Sequence, residues 1–129
     1  MASELRVDTL KDSSGNNSVG MSYVAGGSAK AWAAYGNDAV IDDSLNGSSV
    51  TDNGTADFTF TITSATASAN TAVSGSVIGN TYSFYACMLT ASGVAKTTTA
   101  TRHRVTNYYD SYAYQDLGPM QPIIHGDLA

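Results

Sequence analysis

The residues that could do chemistry in this chain are few, and their spacing is poor. Ser76 lies in the stretch GSVIG at 75–79, where a nucleophile elbow would need the serine midway between the glycines; Val77 holds that place. The stretch GGSAK at 26–30 lacks the spacing of a phosphate-cradling loop. Asp42, Asp43 and Asp52 offer hard oxygen ligands for calcium, but the chain's only glutamate is Glu4, so no closing ligand follows and an acidic turn is expected. Sugar hydrolysis needs two carboxylates in contrasting environments. Eleven acids are available, nearly all in polar, turn-like contexts, and nothing marks a pair. His103 stands between Arg102 and Arg104, and His125 lies near the end. Neither has a second histidine at ligand spacing. A symmetric oligomer could gather copies of one of them, yet one residue type alone fixes no metal site. Cys87 is expected to be a small buried core residue rather than a nucleophile. The reading is therefore no catalytic residue, no metal and no cofactor: not an enzyme.

The remaining candidate is aromatic. Tyr108, Tyr109, Tyr112 and Tyr114 fall within ten residues, close to Asp110 and Asp116. Tyrosine joins a flat apolar ring to a hydroxyl, which suits it to stacking on sugars and to recognition surfaces. These four form the candidate ligand or interface surface. Packing in the core or between subunits is the competing reading, since tyrosine is also common in strands.

Composition narrows the setting. One domain of 129 residues with 43% hydrophobic residues can build a core, but only 13% of residues are charged, about half the roughly 25% usual for globular proteins. A surface of hydroxyls and small amides offers little charge repulsion between subunits, so assembly is easy. The net charge is −5, and of six basic residues only Arg102 and Arg104 lie close together. Nucleic acid, which demands clustered Lys and Arg, is not an expected partner. Glu4, Arg6 and Asp8 interrupt any signal-peptide run, and no stretch approaches the roughly 20 apolar residues of a membrane helix. The expectation is synthesis in the cytoplasm with no membrane insertion. Asn16, Asn46 and Asn53 open N-x-[ST] triplets, which without a secretory signal are coincidental. A single cysteine allows no intrachain disulfide.

The elements that must position these residues read as short strands. Phe58, Phe60 and Ile62 alternate with Thr59, Thr61 and Thr63, a strand with one dry and one hydroxyl face. Strand-like runs recur at 29–35, 39–45, 71–78, 81–90 and 95–107, punctuated by Asn46-Gly47 and Asn53-Gly54, with Gly79-Asn80 predicting a tight hairpin. The run 82–89 is apolar on both faces, which predicts cover from a core on one side and a neighbouring subunit on the other. Pro119 and Pro122 predict an edge strand or loop near the end, and no segment shows a helical period. Trp32, Phe58, Phe60 and Ile62 are the expected core. Residues 1–28 read as an arm and polar linker, in which Leu5, Val7 and Leu10 are too few to make a core and would anchor elsewhere. Residues 29–129 read as an all-β domain, an antiparallel, jelly-roll-like β-sandwich behind a short extended N-terminal arm.

Two stretches resemble bacteriophage tail-fibre and virion appendage proteins, especially those of phages of marine bacteria. The first is the opening SELRVDTLKDSSGNNS. The second is 29–76, in which Lys30-Ala31-Trp32 leads to the hairpin string from Ser48 to Thr59 and then to Ala69-Asn70-Thr71-Ala72-Val73, with Thr71 where an aromatic is common. The resemblance covers roughly the first 76 residues, and the long repetitive stalk of a full fibre is missing. It implies a non-enzymatic, β-rich virion protein, a homotrimer. The N-terminal end would join other virion proteins, and the outer domain would touch a host-surface glycan or outer-membrane protein. A capsid decoration or head fibre that binds only virion proteins is the alternative, and a small carbohydrate-active enzyme ranks last.

Overall fold

The computed structural model describes residues 6–77, 86–90, 93–107 and 113–129, with 86–90 described by backbone alone. Among the described residues nine strands form the body: β3 (Ala29–Tyr35), β4 (Ile41–Leu45), β5 (Gly47–Gly54), β6 (Asp57–Ile62), β7 (Ala72–Val77), β8 (Ala86–Thr90), β9 (Ala100–Asn107), β10 (Ala113–Tyr114) and β11 (Met120–His125). They make two antiparallel sheets. One runs β4-β3-β11-β7; the other runs β5-β6-β9, with β8 and β10 both paired to β9. Ahead of them stand a hairpin, β1 (Thr9–Lys11) and β2 (Ser18–Gly20), and a two-turn helix, α1 (Met21–Gly27). The body is the all-β sandwich that the alternating pattern predicts.

The inner faces of the sheets meet in one core. From β6 come Phe58, Phe60 and Ile62, from β9 Val105, from β3 Ala31, Ala33 and Tyr35, and from β11 Met120 and Ile124. The Tyr35 and Phe58 rings sit 5.9 Å apart and tilted by 55°, a favoured aromatic contact across the two layers.

Three expectations need correction. Trp32 is not in the core: Ala31, Ala33 and Tyr35 take the inward positions of β3, and period two leaves the half-buried Trp32 on the outer face. There it stands opposite Leu45 and Ile123. Pro122 is not on an edge: β11 is a central strand between β3 and β7. Pro122 is fully buried, and the register to β3 is kept at Met120 and resumes at Ile123, with no partner pair at 121 and 122. The missing N–H is thus tolerated on the side where the ladder already opens. Of the strands flanking Gly79-Asn80, β7 pairs with β11 and β8 with β9. Residues 78–85 themselves lie outside the described residues, as do the side chains of the run 82–89. Finally, α1 is a helix where no helical period is visible. It buries none of its residues and has no side-chain cap.

Asn46-Gly47 is a corner rather than a hairpin. Asn46 takes a left-handed φ of 56° and is the single residue between β4 and β5, which lie in different sheets. Its side chain holds the corner, accepting from Ser64 N at 2.7 Å and donating to Lys30 O and Ser64 O. Gly47 follows because nothing larger fits: an added Cβ would lie 2.7 Å from Ser44 Cβ. At Asn53-Gly54 the expected hairpin does form, closed between β5 and β6 with Gly54 opposite Asp57.

Among the described residues none before Ala31 contributes to the core. In the hairpin, Leu10 pairs with Val19, and both stay exposed. Its turn is organised by Asp12, whose carboxylate accepts from Ser14 Oγ, Asn16 N and Asn17 Nδ2. Those bonds, the one from Asn17 foremost, hold Asp12 below the usual carboxylate range.

Candidate functional site

The outer face of the five-stranded sheet carries the densest polar constellation among the described residues. Alternation sends Asp57 and Thr59 of β6 outward, and Arg102 and Arg104 of β9 with them. The register sets Asp57 opposite Arg104 and Thr59 opposite Arg102. Arg102 grips Asp57 with two parallel bonds, Nε to Oδ1 at 2.6 Å and Nη2 to Oδ2 at 2.9 Å. Arg104 Nε adds a third to Oδ2 at 2.8 Å. This fork on a carboxylate is the strong, planar form of the ion pair. The Arg102 hydrogen bond is the main reason that the Asp57 carboxyl is held below its ordinary range. In return, Asp57 raises both guanidinium pKa values.

The geometry is asymmetric in exposure. The Asp57 side chain is 9% exposed, while those of Arg102 and Arg104 are 28% and 33% exposed. The carboxylate is therefore a hidden strut and the guanidiniums face water. Arg104 also lies over the ring of Tyr114, 5.4 Å from its centroid, an attractive cation–π contact. Tyr114 reaches this position because β10 pairs with the end of β9, opposite Thr106. It is 52% exposed. Of the four candidate tyrosines, this is the one that the structure describes, and it is on the surface. Tyr108, Tyr109 and Tyr112 lie outside the described residues.

Directly behind this face, His103 points the other way. It is buried. Its Nε2 meets the Tyr35 hydroxyl in the core, and its Nδ1 has no partner among the described residues. Burial pulls its pKa down to about 4, against a smaller opposing pull from Asp57. The same burial drives the Tyr35 hydroxyl up, so this pair is neutral at pH 7.

The other candidates disperse. Leu5 lies outside the described residues; Val7 and Leu10 are exposed on the N-terminal segment. His125 Nδ1 donates to Gly27 O at 3.1 Å and ties α1 to β11. Asp42 and Asp43 sit on β4 and Asp52 on β5. Among the described residues no three His, Cys, Asp or Glu side chains gather as a metal site would need. A cleft of about 350 Å³ is lined by Asp42, Asp116 and the backbone around Gly36 and Gly118. Asp116 is already engaged there, accepting from Ala56 N at 2.5 Å to hold the β5–β6 turn. Among the described residues no helix is long and apolar enough to cross a membrane.

Sequence reasoning missed Asp57. It reads as part of a turn, and its two partners lie 45 and 47 positions away. The available signal was an Arg-x-Arg pair on one face of a strand, which calls for an acid on the strand beside it. No protein-family model matches the chain, and neither a curated protein nor a solved structure matches it at a significant level.

Proposed function

We propose that the chain is a structural protein of a bacteriophage particle, a short tail fibre or appendage that works by contact and touches the host surface. The observation that carries this reading is the character of residues 6–28. They make a hairpin and a short helix outside the core, with Val7, Leu10, Val19, Tyr23 and Val24 exposed, Tyr23 at 78%. A two-stranded hairpin of three-residue strands is marginal alone, and exposed apolar groups of this density call for a partner surface. Such a segment suits docking on other virion proteins, while the rigid sandwich faces outward. The charge-poor surface favours self-association, and the reading includes a homotrimer. Light scattering at micromolar concentration tests that part; a monomer overturns it.

A second reading, a capsid decoration or head fibre, draws on the row Leu45, Trp32 and Ile123 across the outer face of the four-stranded sheet. That row would let a whole sheet face lie against a neighbouring virion protein. Electron microscopy of particles carrying a labelled subunit separates the two. Label at the tail supports the appendage, label across the head supports the decoration, and no label on particles overturns both.

A further inference from the structure

We propose that the outer face of the five-stranded sheet binds carboxylate-bearing sugars, with Arg102 and Arg104 meeting the acid group and Tyr114 the pyranose ring. The proposal rests on the host-contact reading above and names the chemistry of that contact.

Three observations converge. First, the charge is local and of the right sign. In a protein of net charge −5 with six basic residues, two guanidiniums here share one carboxylate, and among the described residues no second acid side chain pairs with them. One added carboxylate would neutralise the cluster. Second, donors remain. A guanidinium carries five N–H groups in a fixed fork. Arg102 uses two on Asp57, Arg104 uses its Nε there and also hydrogen-bonds Tyr114, and both side chains are about one-third exposed. Asp57, nearly buried, fixes the two side chains from beneath, so little rotamer freedom is lost when a ligand arrives from above. Third, the surroundings suit a sugar better than a bare anion. Tyr114 offers a half-exposed ring beside Arg104. Thr59 lies between Arg102 and Thr51, and Thr61 opposite Ser49, so hydroxyls continue the same face. Asn53 Nδ2 donates to Thr59 Oγ1 at 2.9 Å, which orients that row. Carboxylate and phosphate both fit a guanidinium fork; the ring and the hydroxyls select the sugar acid.

Titration calorimetry of the full chain with trigalacturonate, its neutral methyl ester and inorganic phosphate tests the site. The acid is expected to bind, the ester about tenfold or more weakly, and equimolar phosphate not to displace the acid. Arg104→Gln, which leaves the Arg102–Asp57 fork in place, and Tyr114→Ala should each weaken the acid about tenfold. If Arg104→Gln fails to fold, Tyr114→Ala decides, since its side chain is half in water. Equal binding of acid and ester, displacement by phosphate, or full affinity in the folded variants overturns the inference. Equal binding of acid and ester would leave host contact standing, and absence of any sugar binding would leave the position on the particle to be decided by microscopy alone.

Discussion

Asp57 stands directly opposite Arg104 in the β6–β9 ladder, and its carboxylate holds that residue's Nε at 2.8 Å while gripping Arg102 from the other side. One buried acid therefore restrains two cations that would otherwise repel each other on adjacent outward positions of a single strand. The pairing also welds β6 to β9, the two central strands of the sheet.

Asp57→Asn removes the charge and keeps the size. The two guanidiniums then face each other uncompensated. The expected loss is about 1–2 kcal/mol, held down because both arginines sit partly in water. Urea denaturation checks it. In the wild type the same stabilisation is present above the ordinary carboxylate value of 3.8 and is lost only as pH falls through the lowered Asp57 value. A denaturation midpoint that dropped for this reason between pH 7 and 5 would contradict the ion pair.

His103 acts over a different window. Its folded value of about 4 lies below the ordinary 6.5, so the unfolded chain binds the proton first. Stability is full above about pH 6.5 and declines towards pH 4, by about 3 kcal/mol in all. Tyr35, which meets His103 Nε2, and Asp57 on the neighbouring strand are the polar groups that bear on this titration. The slope should vanish in His103→Phe, which fills the space without titrating. An equal slope in that variant would assign the effect to other groups.

The two faces of the sandwich predict unequal costs for two aromatic truncations. Phe60→Ala empties a fully buried site and should cost about 3–5 kcal/mol. Trp32→Ala removes a larger ring from a half-buried outer position and should cost about 1–2 kcal/mol. Thermal or chemical denaturation of both variants gives the order; a larger loss at Trp32 would mean that the outer face is covered.

Deletion of residues 1–12 should leave the sandwich folded, because none of the described residues before Ala31 lies in the core. Its unfolding free energy should stay within about 0.5 kcal/mol of the wild type. Incorporation into particles should be lost. Normal incorporation would remove the arm from the attachment reading.

How much of this was legible follows residue by residue. The β6 strand was readable because Phe58, Phe60 and Ile62 keep period two without interruption. Trp32 misled because size suggests burial, whereas the alternation along β3 turns Ala31, Ala33 and Tyr35 inward and Trp32 outward. Pro122 misled because local rules place proline on edges, and only the partner's register shows where a ladder can do without a donor. For the same reason Arg102 and Arg104 were noticed as a basic pair while their acid was not. Spacing along the chain carries no record of cross-strand neighbours 45 positions apart. Tyr114 was singled out for the recognition chemistry of tyrosine; its place beneath Arg104 depends on β10 pairing with the tail of β9.

The single-residue step at Asn46 has a mechanical consequence. With one link between β4 and β5 there is no slack at that rim, so a tug on either strand passes straight into the asparagine's bonds to Lys30 and Ser64. This rim should yield late when the sandwich is pulled apart by force.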